Sequence, residues 1–257
     1  MALKLSELKG YDIAATDGSL GKVSNLFFDD HTWSVRYLVV DTGWLFGRKV
    51  LISPQSIAGV NIGGASVAVE MTRQQVEDAP GVETDRPVSR QEEVALHGHY
   101  GWQPYWEVYP AGVMGAPAVP LSEDVLPGHD APPSRVREEA EGRGDPNLRS
   151  ADEVEGYDIQ ATDGEIGHVE DFMVDEIAWV IRYFVVDTRN WLPGGRKVLI
   201  SPASASDITW ADRSASVTLT REQVKNSPAY DPDRSGLLTR DVEAALHDHY
   251  ALKYYWM

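Results

Sequence analysis

Arg48-Lys49-Val50-Leu51-Ile52-Ser53-Pro54 returns, residue for residue, as Arg196-Lys197-Val198-Leu199-Ile200-Ser201-Pro202. The match extends in both directions. Upstream, Arg36-Tyr37 and Val39-Val40-Asp41-Thr42 reappear as Arg182-Tyr183 and Val185-Val186-Asp187-Thr188. Further back, Thr16-Asp17-Gly18 and Gly10-Tyr11-Asp12-Ile13 reappear as Thr162-Asp163-Gly164 and Gly156-Tyr157-Asp158-Ile159. Downstream, Thr72-Arg73, Gln75-Val76, Ala95-Leu96-His97 and His99-Tyr100 match Thr220-Arg221, Gln223-Val224, Ala245-Leu246-His247 and His249-Tyr250. The register slips by two residues before Arg196 and again near Ser235-Gly236. Insertions belong in surface loops, so both slips support the alignment.

The composition changes between the copies. From Tyr109 to Arg149 there are seven prolines and almost no aromatic residues. Such a segment cannot bury enough apolar surface to offset the entropy of ordering it, so it reads as a linker. The expected organisation is a first repeat with its helical tail over 1–108, a Pro/Gly-rich acidic linker over 109–150, and a second repeat with its tail over 151–257.

Within one copy the pattern is of short strands. Residues 34–42 alternate Val35, Tyr37 and Val39 with Arg36, Leu38 and Val40, which predicts a strand covered on both faces. Strands are also expected at 10–14, 22–29, 49–52, 57–61 and 66–70, about six in all, at the spacing of a small closed barrel. Thr16-Asp17-Gly18 is a turn. Thr72 with Gln75, and Ser89 with Glu92, have capping-box spacing, so short helices are expected from Arg73 and from Arg90.

The succession Asp-Gly-x-x-Gly-x-Val, Arg-Tyr-x-Val-Val-Asp-Thr and Arg-Lys-Val-Leu-Ile-Ser-Pro resembles the PRC-barrel domain. That domain is also found in the cytoplasmic part of the photosynthetic reaction-centre H subunit and in a small-subunit ribosome maturation factor. The resemblance implies a mainly β fold: two small six-stranded PRC-type barrels, each followed by short C-terminal helices. Like surfaces pack isologously, so the two copies are expected to be related by an approximate two-fold axis. It implies a role in protein–protein contact rather than catalysis.

Composition narrows the function further. The chain has 257 residues and a formal charge of -17. Phosphate backbones are bound by clustered Lys and Arg, so no nucleic-acid partner is expected. There is no run of apolar residues long enough to span a membrane, and residues 1–5 do not open an apolar leader. There are no cysteines, which excludes disulfides and thiol chemistry. The expected location is the cytoplasm. No nucleophile elbow, phosphate loop or dinucleotide fingerprint is present, so neither an enzyme nor a cofactor is expected.

Candidate sites are few. His97, His99, His247 and His249 form two His-x-His pairs. Residues two apart do not share a helical face, so the reading is no metal, with the histidines offsetting a helix C-terminal dipole. Asp17 reads as a turn residue and one of Asp12, Asp29 and Asp41 as a salt-bridge partner for Arg36, in preference to acid pairs for proton handling. Trp44, Leu45 and Phe46, with Trp191 and Leu192, place apolar side chains in a loop between strands. Such clusters mark partner-binding surfaces; the alternative, of equal weight, is that each loop caps its own barrel end or packs on the other barrel. The leading expectation is a non-catalytic scaffold or adaptor for a protein partner. The alternative is a peripheral subunit held by protein contacts on the cytoplasmic face of a photosynthetic membrane complex.

Overall fold

The computed structural model describes residues 2–43, 48–81, 88–105, 145, 147–189, 191, 194–209, 212–228, 230–231 and 237–256. The first repeat runs β1 (Ala2–Lys4), α1 (Leu5–Leu8), β2 (Asp12–Ala15), β3 (Gly18–Asp29), β4 (Val35–Asp41), β5 (Lys49–Ile52), β6 (Ile57–Asn61), β7 (Ser66–Val69), α2 (Arg73–Glu77) and α3 (Arg90–Tyr100). The second repeats that order: β8 (Leu148–Ser150), α4 (Ala151–Val154), β9 (Asp158–Ala161), β10 (Gly164–Asp175), β11 (Val180–Asp187), β12 (Lys197–Ile200), β13 (Ala205–Thr209), β14 (Ser214–Val217) and α5 (Arg221–Lys225). It ends on β15 (Leu237–Leu238) and α6 (Arg240–Tyr250).

Each sheet follows the same path, β5-β4-β3-β2-β7-β6 in the first repeat and β12-β11-β10-β9-β14-β13 in the second. The doubly apolar strand is covered as expected: Val35, Tyr37, Leu38, Val39 and Val40 are all buried. Gly21 and Gly167 have positive φ, and a Cβ there would strike the carbonyl oxygen of Asp41 or Asp187. Only glycine lets β3 and β10 pass so close to the ends of β4 and β11. Capping boxes at Thr72/Gln75, Ser89/Glu92 and Thr220/Gln223 start the helices α2, α3 and α5.

Two expectations need correction. First, closure of the barrel is not seen: among the described residues β5 does not pair with β6, nor β12 with β13. A tight turn at Pro54–Ser56 joins β5 to β6 and turns the chain away from a closing ladder. The tail after α3 fills that seam, where the Trp102 indole donates to Ser56 Oγ. Second, the stretch 109–150 is not linker to its end. Asp145 is buried, and Leu148–Ser150 form β8. The apolar Leu148 completes a sheet, but a three-residue strand carries too little alternation to show in the sequence.

β8 pairs not with its own repeat but with β3, through Phe27↔Ser150, Phe28↔Arg149 and Asp29↔Leu148. Reciprocally, β1 pairs with β10 through Ala2↔Asp175, Leu3↔Val174 and Lys4↔Met173. These registers are equivalent in the repeat alignment, so the two halves are related by an approximate two-fold axis and exchange their first strands. β15 pairs with the other side of β1, enclosing Ala2 and Leu3 in the second repeat's sheet at 1 % exposure each. No helix of the described residues is long and apolar enough to cross a membrane.

Candidate functional site

The site is built where the turn of one repeat meets the tail of the other. Between β3 and β4, Asp29 Oδ1 accepts the backbone N–H groups of His31 and Thr32 at 3.1 and 2.8 Å. Its other oxygen receives Arg36 at 3.0 Å. Burial alone would raise the Asp29 pKa, but Thr32 and Arg36 outweigh it and hold the carboxyl below its ordinary value. Asp175 binds Ile177, Ala178 and Arg182 in the same way. Each turn ends on a tryptophan in left-handed backbone, Trp33 (φ 60) and Trp179 (φ 50). That costly conformation aims each carbonyl at the other repeat. Trp33 O accepts from Ile181 at 2.8 Å, and Trp179 O accepts from Val35 at 2.7 Å. Trp33 also stacks on Phe28 at 5.4 Å and meets Phe184 edge-on at 5.1 Å.

Behind each turn lies a buried polar cluster. In the first repeat Glu93 is fully buried and accepts from the hydroxyls of Tyr37 (2.9 Å) and Tyr105 (2.7 Å). Arg90 lies 2.9 Å from its second oxygen. Burial pushes the Glu93 pKa up to about 7, against the opposing pull of Arg90, Tyr105 and Tyr37. Asp145 joins the cluster from the start of the second repeat, 2.7 Å from Arg90 and 2.9 Å from Tyr105. The second repeat answers with Glu243, Tyr255, Arg240 and Tyr183.

Two clefts open beside these clusters, one on each side of the axis. The larger, about 930 Å3, is walled by Asp30–Trp33 and Arg149 on one side. Arg182, the turn after Ser201, Ile208, His247, Leu252, Lys253 and Tyr255 form the other. Its counterpart, about 380 Å3, uses the equivalent Ile177–Trp179, Arg36, Pro54, His97 and Tyr105. Two differences between the copies lie at these clefts. Gln55 clasps the first tail by two bonds to the Gln103 backbone, at 3.0 and 3.1 Å. Ala203 stands in its place in the second repeat and can make neither bond. Trp102, which covers the seam in the first repeat, is replaced by Leu252. The equivalent of Ser56, Ser204, has a buried hydroxyl with no partner among the described residues. The larger cleft carries Arg149, Arg182 and Lys253 among apolar walls from Trp33, Ile208 and Leu252. Asp30 and Asp175 pair with the two arginines, each at 3.0 Å.

The histidines singled out in the sequence do not converge. His97 and His247 point inward, each 3.0 Å from a tyrosine hydroxyl, Tyr37 and Tyr183. His99 and His249 bind the Gln75 and Gln223 carbonyls on α2 and α5. Among the described residues no three His, Asp or Glu side chains gather into a metal-binding group. Asp29 is the partner of Arg36. Asp17 caps α2 through the Arg73 N–H at 2.8 Å, as Asp163 caps α5. Trp44, Leu45, Phe46 and Leu192 lie outside the described residues. Trp191 is half-buried against the core, beneath the Arg221 guanidinium at 4.8 Å. Sequence reading passed over the clefts. Their signal was the pair of departures, Gln55 to Ala203 and Trp102 to Leu252, in otherwise parallel copies.

No curated protein matches this chain. The PRC-barrel domain matches residues 1–75 and 146–215, more than half of the chain. The second match starts where Asp145 and β8 leave the linker, and both cover the strand order found in each half. The chain therefore belongs to the PRC-barrel domain family and carries that domain twice.

Proposed function

We propose that the protein is a non-catalytic cytoplasmic scaffold that receives a segment of a partner protein in the larger cleft between its two PRC-barrel repeats. The observation behind this reading is that this cleft takes its walls from both repeats and stands open where Ala203 replaces the clasping Gln55. An open groove with apolar walls and cations at its rim suits a polypeptide, whose side chains supply both kinds of contact. In this proposal Trp44, Leu45, Phe46, Trp191 and Leu192 form a second contact surface on the same scaffold.

The test restores the clasp. Ala203 is exposed, so Ala203→Gln should change stability by no more than about 0.5 kcal/mol while drawing the second tail across the cleft. A photo-crosslinking residue at Ser206, on the cleft wall, should capture a discrete protein in the native cell. The same residue at Val94, 53 % exposed on α3, should not. Introducing Ala203→Gln should abolish the Ser206 capture. Undiminished capture in that variant would remove the cleft from the proposal. Capture of a membrane photosystem subunit would turn the scaffold into a peripheral subunit of that complex.

A further inference from the structure

Along the exchange interface the two repeats are not interchangeable. Lys9 and Glu155, each followed by the glycine of the Gly-Tyr-Asp-Ile motif, occupy the same position in their copies. They meet across the axis at 2.6 Å, with Asp152 also 2.7 Å from the lysine. Partial burial disfavours the Lys9 ammonium. Hydrogen bonds and charge from Asp152 and Glu155 outweigh this and raise its pKa. Asp152 itself stands where the first repeat has Ser6. Ser6 offers its N–H, at 3.1 Å, and its hydroxyl to the buried Asp171 carboxylate. The first repeat has Asn25 in the place of Asp171, receiving the Asp152 N–H at 3.3 Å.

Pairing like with like would lose the opposite charges at the axis. Two second repeats would set Glu155 against Glu155, and Asp152 against the buried Asp171. Two first repeats would set Lys9 against Lys9. Like charges brought together at an interface are costly, and leaving them partly desolvated costs more.

We propose that this surface is a self-recognition interface that joins a first repeat only to a second repeat, and that it admits a second copy of this chain by reciprocal exchange. The length of the connection permits the exchange. Residues 106–144 leave from Tyr105 and return at Asp145, whose side chains lie 2.9 Å apart. A segment of that length, at up to about 3.3 Å per residue, does not dictate that the two repeats it joins be the two that pair. Within one copy the partner repeat is present at an effective concentration of roughly millimolar. The single copy therefore prevails in dilute solution, and the exchanged dimer appears when chains fold together at high concentration.

The test uses two full-length variants, Lys9→Glu and Glu155→Lys. Alone, each places like charges on the axis, whether folded as one copy or exchanged with itself. Refolded together, an exchanged dimer with one of each restores opposite charges at both axes. At one axis the two substituted side chains face each other, an acid against a base. At the other the unsubstituted Lys9 and Glu155 meet as they do in the parent. Native mass spectrometry of the co-refolded mixture should show the mixed dimer at least about five-fold above the dimer of either variant alone, the factor that about 1 kcal/mol provides. If a variant folds poorly by itself, recovery of folded protein on mixing reads the same restoration. Lys9→Gln refolded with Glu155→Gln should show no enrichment. Equal dimer fractions in the mixture and in the separate charge variants, monomers alone, or enrichment in the glutamine pair would overturn the proposal.

Discussion

Lys9 Nζ lies 2.6 Å from Glu155 Oε1, and the two residues hold the same place in their respective repeats. A contact between equivalent positions marks the two-fold axis itself. In a pair of identical modules both residues would have to be the same. A fused pair is free to make them different, and here they carry opposite charge. Each of the two is about a quarter to a third exposed, so the pair contributes about 1 kcal/mol or less to stability. Its larger effect is on which surfaces can meet.

The contact at Ser6 should be more sensitive than the axis. Ser6→Asp places a carboxylate against Asp171, which is 6 % exposed. An unpaired charge there should lower the unfolding free energy by about 2 kcal/mol or more. Asp171→Asn copies Asn25 and should recover most of the loss in the double variant. Urea denaturation of the two single variants and the double variant checks this.

Glu93 should give the protein a pH-dependent stability near neutrality. Its ordinary value is 4.5, and in the fold it titrates at about 7. Between those values the folded protein keeps a proton that the unfolded chain has released, so stability falls as pH rises through this window and levels off above it. The loss is at most roughly 3 kcal/mol at 1.36 kcal/mol per unit. His97, whose pKa burial lowers, acts in the opposite sense: stability rises with pH up to its ordinary value. Arg90, Asp145, Tyr37 and Tyr105, the other groups facing Glu93, shape both effects. Glu93→Gln removes only the first. Its melting temperature should therefore decline less than the parent's between pH 5 and pH 8.

Trp191 should prove partly structural. Its ring packs against the core under Arg221, so Trp191→Ala should cost about 1–2 kcal/mol, more than a surface change and less than a core truncation. Thermal unfolding of the variant measures it. A change below about 0.5 kcal/mol would return Trp191 to the role of a free contact residue.

Nucleic acid should not bind at physiological salt. The chain carries 40 acidic against 23 basic residues, and phosphate binding depends on neutralisation by Lys and Arg. A fluorescence-anisotropy titration with RNA and with duplex DNA should stay flat into the micromolar range.

The strands at 49–52 and 57–61, the capped helices and the repeat register were all readable, because period, caps and turns are local. The exchange was not. Ala2–Lys4 and Leu148–Ser150 are three-residue strands whose partners lie more than a hundred residues away, and no local pattern encodes a distant edge. The polar cluster was hidden for another reason. Glu93 sits in an acidic helical first turn of ordinary appearance, and only the approach of Tyr37 and Tyr105 makes it a buried acid. The clefts were encoded as differences between copies, at Ala203 and Leu252, whereas a repeat is defined by what its copies share.

The exchanged strands also set a timetable for the newborn chain. β1 leaves the ribosome well before its partners, residues 173–175 of β10. At synthesis rates of roughly 5–20 residues per second it waits about 10–30 s for them. The far end of β3 waits likewise for residues 148–150. The first repeat cannot complete its sheet while it is being made. Its apolar opening, Ala2-Leu3-Lys4-Leu5, stays unpaired until the second repeat emerges. Ribosome stalling or truncation before residue 148 would thus release not one finished module but an unfinished one with an open strand edge, the kind of species that chaperones bind and proteases remove.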